Sequence, residues 1–294
     1  MYELINAAGN TYYIECPARM GLYVKNGTDA YLFDSGNNKE AGRKVRQVLE
    51  NNSFTLKAII NTHSHADHVG GNAYLQKYYG CKVYAPGIES AITKYTILEP
   101  SGLYGGFPHK DLKHKFVMAE ESDCEDLYSN LENLPGELEF ISLPGHAFDM
   151  IAIKTSDDIL FIADSVSSAA TIEKYKIGYM LDIKSQLETL EKLSQLRASL
   201  FVPAHADPTY DLSELISLNT CSIFETKSMI LSIIEKPCVF DEILSKVFSA
   251  YNLTMTIEQH ALIGCTVRSF LSWLYNCGEA AIEICDNLLL WKRV

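Results

Sequence analysis

The sequence predicts an α/β layered domain followed by a small helical unit that ends in a β-hairpin. Three observations predict it. Short β-branched runs alternate with helical periodicity over residues 1–210, the character turns to helix after Pro208, and two alternating apolar runs flank Asp286-Asn287 near the C terminus. Of 294 residues, 47% are apolar and 21% charged, which suits a folded chain of about two units rather than a disordered one.

The elements follow in order. Residues 12–16, 21–24 and 30–33 read as a meander of strands, the last ending at the turn Asp34-Ser35-Gly36. Ala41, Val45 and Val48 fall at helical spacing within residues 39–51, and residues 56–60 are short and β-branched, giving strand, helix, strand. Residues 73–79 begin a helix after Gly70-Gly71, a pair that lets the backbone turn closely. Residues 96–136 are rich in Gly, Pro, His and acids with weak periodicity, the pattern of a lid inserted in a compact domain. Strands are expected at 138–143, 150–154, 159–163 and 200–203, with a helix at 181–196. Beyond residue 210, helices are expected at 212–235, 240–251 and 257–276, the third stopped by Gly278, and then a hairpin of 280–285 and 288–291. This is the outline of a winged helix, placing the boundary between 1–210 and 211–294.

Charge narrows the partners. Lys and Arg total 25 against 37 Asp and Glu, and a net charge of −12 repels phosphate backbones and anionic membranes. Residues 211–294 hold ten acids and six bases, and Arg268 is the single strong base of their third helix. A DNA reader needs several phosphate contacts, so the unit is expected to serve packing, pocket shaping or homodimer formation. No apolar run reaches the roughly 18 residues of a membrane helix, and Met1-Tyr2-Glu3-Leu4 lacks a basic start before an apolar run, so the expected location is cytoplasmic. The eight cysteines are scattered without a CxxC pair and are expected to be buried, reduced thiols.

The stretch that carries chemistry is Asn61-Thr62-His63-Ser64-His65-Ala66-Asp67-His68-Val69-Gly70-Gly71. With eight His and fifteen Asp in the chain, an H-x-H-x-D-H arises by chance in roughly 3 of 10,000 such sequences. Residues two apart in an extended segment point the same way, so His63 and His65 can share one cation. His68 breaks that parity, so Asp67 and His68 can face a second. His146, Asp164 and His205 each stand at or just beyond the end of an expected strand, where a layered α/β fold gathers its polar groups.

In order and spacing these residues resemble the metal ligands of the metallo-β-lactamase-fold hydrolases, over residues 1 to about 210. The resemblance implies an αββα sandwich with two Zn²⁺, or iron or manganese in their place. His63, His65 and His146 would hold one metal, Asp67, His68 and His205 the other, with Asp164 bridging and Asp34 orienting a ligand. It implies hydrolysis by a hydroxide held between the metals, Asp67 and Asp164 serving as catalytic carboxylates. Residues 211–294 resemble the winged-helix appendage of the β-lactamase-like-protein-2 subgroup through Thr266, Val267, Leu271, Trp273, Leu274, Gly278 and Trp291.

Spacing excludes some relatives. His205 follows Asp164 by only 41 positions, too few for the inserted domain of the β-CASP nucleases. His65 replaces the Glu of the flavodiiron branch, and Asp164 sets the chain apart from most true β-lactamases of the fold. The run Ala147-Phe148-Asp149-Met150 departs from the glyoxalase II pattern. A thioester, lactone or similar small ester is the expected substrate. A metal-dependent ribonuclease acting on RNA and a mononuclear iron persulfide dioxygenase are the alternatives. Tyr104, Phe107, His109 and His114 of the lid, with Tyr175 and Tyr179, are the expected substrate contacts.

Overall fold

The computed structural model describes residues 2–294. Seven strands form one sheet in sequence order: β1 (Glu3–Ala8), β2 (Thr11–Glu15), β3 (Met20–Lys25), β4 (Asp29–Phe33), β5 (Thr55–Ile60), β6 (Lys82–Ala85) and β7 (Cys124–Asp126). The first four pair antiparallel and β4 to β7 run parallel. A second sheet takes β8 (Leu138–Ser142), β9 (Ile151–Thr155), β10 (Ile159–Ala163) and β11 (Leu200–Pro203) in the order β11-β10-β9-β8. Helices α1 (Lys39–Asn51), α2 (Ala66–Val69), α3 (Asn72–Tyr79), α4 (Ile88–Lys94) and α5 (Leu98–Tyr104) follow the first sheet's strands. Next come α6 (Ala169–Tyr175), α7 (Ile183–Gln195), α8 (Ser213–Ile233), α9 (Phe240–Ala250) and α10 (Ile257–Asn276). The chain ends in a hairpin of β12 (Ala280–Cys285) and β13 (Leu288–Arg293). Both residues of its turn, Asp286 and Asn287, adopt positive φ, as the turn type that matches strand twist requires.

The layers follow from strand alternation. On β4, Leu32 packs outward with Val45 and Leu49 of α1, while Phe33 points inward and meets Phe161 edge-on at 5.2 Å. On β10, Ile159 and Phe161 join that inter-sheet core, and Leu160 and Ile162 face the other way, toward α7 and the C-terminal helices. All five β10 residues are buried, which explains why the strand reads as an unbroken apolar run. The result is the αββα sandwich. Its outer core on the second sheet is continuous across residue 210, with Leu160, Leu190, Ile223, Val267 and Phe270 in one cluster.

Two glycines fix the approach to the site. A Cβ on Gly70 would lie 2.3 Å from the carbonyl carbon of Asn37, and one on Gly71 would lie 2.3 Å from Ser35 O. Only bare backbone lets α2 sit this close to the Asp34-Ser35-Gly36 turn.

Several features depart from expectation. Strands β1, β6 and β7 and helices α4 and α6 appear where no element was expected. Residues 124–126, inside the expected lid, extend the first sheet as its edge strand, three residues being too few to show a periodicity. No disulfide forms among the described residues. Cys81, Cys124 and Cys238 are buried, whereas Cys221, Cys277 and Cys285 are exposed, because they fall on solvent-facing positions of α8, the α10 terminus and the hairpin. Among the described residues, no helix is long and apolar enough to cross a membrane.

Candidate metal centre

The residues expected at strand ends converge on one edge of the sandwich. The loop after β5 and the single turn α2 carry His63, His65, Asp67 and His68; the β8–β9 loop carries His146; Asp164 and His205 follow β10 and β11. Asp34 and Ala163, the latter directly before Asp164, both hold positive φ (62° and 47°).

Two clusters form, each with ligand atoms within 4.8 Å of one another: His63, His65 and His146, and Asp67, His68, Asp164 and His205. Asp164 reaches both, its Oδ2 lying 3.3 Å from His146 Nε2 and 3.4 Å from His205 Nε2, and its Oδ1 3.1 Å from His68 Nε2. Asp67 Oδ2 lies 3.2 Å from His205 Nε2.

The outward ring nitrogens are tied down, which sets the tautomers. His68 Nδ1–H donates to Asp34 Oδ2 (2.8 Å), His146 Nδ1–H to the Tyr179 carbonyl (3.1 Å) and His205 Nδ1–H to the Pro17 carbonyl (3.1 Å). Thr62 Oγ1 donates to Asp34 Oδ2 (2.8 Å) and so receives His63 Nδ1–H (3.0 Å). Asp34 thus stands behind the site rather than in it, and the remaining nitrogens of these four rings point inward.

Those inward atoms suit cations. His63 Nε2, His68 Nε2 and Asp164 Oδ1 are buried without a hydrogen-bond partner, and His65 Nδ1 faces His146 Nε2 at 2.9 Å. Imidazoles with carboxylates are the donor set of zinc and its neighbours.

Electrostatics separates the clusters. Burial holds His63 well below the usual imidazole range, lowers His65, and pushes His146 down to about 4. At His68 burial opposes protonation, but Asp164, Asp34 and Asp67 lift the ring well above the usual range. Asp164 leads in raising His205 to about 10. Against their own burial, both carboxyls are depressed, Asp67 led by His68 and Asp164 by His205.

A cavity of about 300 Å³ opens beside the clusters, bordered by His146, Asp164 and His205 and including Tyr175, Tyr179 and Gln259 in its wall. The Tyr179 ring lies 5.1 Å from that of His65. Tyr104, Phe107, His109 and His114 lie outside the cavity wall. Tyr104 stacks edge-on with His109, Lys113 covers Phe107, and His114 faces Glu258 of α10 at 3.5 Å, so these lid residues pair among themselves or with the C-terminal unit.

Two acids escaped the sequence reading. The fully buried Glu89 of α4 accepts Ser64 N–H (3.0 Å) and Asp149 N–H (3.1 Å), tying the loop of His63 and His65 to that of His146. Glu99 of α5 faces His65 Nε2 at 3.6 Å, and burial pushes its carboxyl up to about 8. Their one hint is a lone acid in each of two short apolar helices.

Comparison with known proteins agrees with this geometry. The sequence profile of the Metallo-beta-lactamase superfamily matches residues 10–205. A hydroxyacylglutathione hydrolase of Shewanella loihica is 28% identical over 186 residues, which span 63% of this chain and 59% of that protein's length. A protein of Bacillus subtilis called a probable metallo-hydrolase is 25% identical over 228 residues, covering 68% of this chain and 81% of its own. Among solved structures, a beta-lactamase domain protein of Burkholderia ambifaria superposes with a TM-score of 0.74 at 16% identity, covering 99% of this chain and 94% of that one. A metallo-beta-lactamase family protein of Thermus thermophilus gives 0.71 at 16% identity, with 97% and 99% covered. Strand-end ligands, an αββα sandwich and a matched profile over two thirds of its length agree: this chain belongs to the metallo-β-lactamase superfamily.

Proposed function

We propose that the protein is a zinc-dependent hydrolase with two metal ions, acting on a thioester, lactone or other small ester. The observation that carries this reading is Asp164, whose two oxygens reach both ligand clusters at 3.1–3.4 Å. His63, His65 and His146 would hold one ion, Asp67, His68 and His205 the other, with Asp164 shared. Bound there, two zinc ions supply Lewis acidity and hydroxide at neutral pH, coordination lowering the pKa of water from 15.7 to about 7. The chain's own groups do the rest: Asp34, Thr62 and the Tyr179 and Pro17 carbonyls orient the imidazoles, Asp67 would orient the attacking water and Asp164 would pass a proton toward the leaving group. Residues 211–294 form a pocket-shaping appendage, since Gln259, Leu262 and Ile263 of α10 line the cavity. Hydroxyacylglutathione hydrolases among the relatives support a thioester-type substrate.

Metal analysis of the purified protein should find about two zinc per chain, and His63→Ala and His146→Ala should abolish thioester and lactone hydrolysis. Variants as fast as wild type would overturn the reading. One iron per chain would replace it with the oxygenase, and single-stranded RNA cleavage lost in His65→Ala with the ribonuclease.

A further inference from the structure

The site lies where two dissimilar spaces meet. On one side is the 300 Å³ cavity, and on the other a wide groove lined by Glu15, Arg19, Lys174 and Asp207. His205, Thr171 and Tyr175 border both. Resting on the hydrolase reading, we infer that the cavity binds the acyl arm of the substrate, an uncharged and largely apolar group carrying a hydrogen-bond donor, and that the groove releases the leaving alcohol or thiol.

The cavity wall selects that chemistry. Val166, Ile172, Ile177, Ile223 and Leu262 supply apolar surface, and among the described residues no Lys or Arg lines it. Its charged groups are those of the ligand clusters, so a carboxylate on the acyl arm would be desolvated with no cation to meet it. Asn219 is taken at both ends by the Ser167 backbone (2.9 Å each), and Gln186 Nε2 donates to the Ser165 carbonyl (2.8 Å). Two acceptors of the wall, Gln186 Oε1 and Gln259 Oε1, are buried without partners. An amide N–H or hydroxyl on the acyl arm would satisfy them. At roughly 30 Å³ per water-sized group, 300 Å³ admits an arm of about ten heavy atoms.

Direction follows from escape. In hydrolysis the acyl carbon's bond to oxygen or sulfur breaks, the water oxygen bonds to that carbon, and one water proton leaves with the alcohol or thiol. The other is lost to solvent from the acid. The leaving group therefore exits by the wider of the two spaces, the groove, which charged side chains line.

The test uses the metal-loaded full chain and thioesters of one small neutral thiol with straight acyl chains of increasing length. We expect kcat/KM to rise about fourfold per methylene until the cavity fills. A chain of the same length ending in carboxylate should lose roughly a hundredfold. Ile172→Trp should move the plateau to shorter chains, and Gln259→Lys, at a half-buried position, should recover the carboxylate-ended substrate. Calorimetry of the matching uncharged acyl amides, which are not hydrolysed, should show the same length dependence in binding. Rates and binding indifferent to length, or a preference for the carboxylate-ended chain, would overturn the pocket while leaving the hydrolase intact. Length-dependent amide binding with no ester hydrolysed would uphold the pocket and sink the hydrolase reading.

Discussion

The two clusters sit side by side around Asp164, yet without metal the imidazoles of one are held neutral and those of the other protonated. His63, His65 and His146 are three imidazoles that burial keeps unprotonated, with the buried carboxylate of Glu89 bracing their loops from behind. His68 and His205 are imidazoles held in the protonated form by Asp67 and Asp164, with Asp34 as the brace. The same side chain is thus prepared in two ways: a cage ready for a cation, and a cage that must first release protons. The difference comes from the neighbours, not the ligand type.

Breaking the shared member should have the largest effect. Asp164→Asn is expected to lower hydrolysis roughly 10³-fold and cut metal content at both clusters, read by steady-state rates and elemental analysis. Loss at one cluster alone would show that Asp164 is not shared.

The pH dependence sharpens the contrast. In protein stripped by chelation, His68 and His205 carry protons at pH 7, and each must leave before a metal binds. Affinity at that cluster should therefore climb about a hundredfold per pH unit for two protons near pH 7, while the His63, His65 and His146 cluster, whose imidazoles burial holds below their usual range, changes far less. His146→Ala and His205→Ala isolate the two clusters, and titration calorimetry in buffers of different ionisation enthalpy counts the protons. Equal slopes would erase the distinction.

The braces should separate as well. Asp34→Asn should weaken metal binding at the His68 cluster by about 10–100-fold and at the other cluster less, through Thr62, while Glu89→Gln should act mainly on the cluster of His63, His65 and His146. Thr62 joins the two halves, since its hydroxyl serves both His63 and Asp34, so Thr62→Val should cost each cluster only about 1 kcal/mol, equally. An effect confined to one side would mean the halves are braced independently.

Much of the centre is legible in the residues themselves because coordination demands particular types at particular spacings. His63, His65, Asp67 and His68 sit on one turn, and Asp164 follows a strand whose unbroken apolar run marks it as covered on both faces. Glu89 and Glu99 are illegible for the opposite reason. A buried acid is specified by what surrounds it in three dimensions, and in the sequence each is one Glu in a short helix. Strand β7 escapes because three residues cannot show a period of two, and its pairing with β6 is a tertiary fact. Tyr104, Phe107, His109 and His114 fall outside the cavity wall, a placement that aromatic and basic composition cannot show because it says nothing about which way a segment faces.

The continuous core across residue 210 has an evolutionary consequence. Helix α10 packs on α7 and α8 and shares one apolar cluster with the second sheet through Val267 and Phe270, and the same helix presents Gln259 and Leu262 to the cavity. On the proposed function, reactivity would lie in the strand ends of one segment and selectivity partly in a helix about fifty positions further along. Mutation in α10 would then change the substrate without touching a metal ligand.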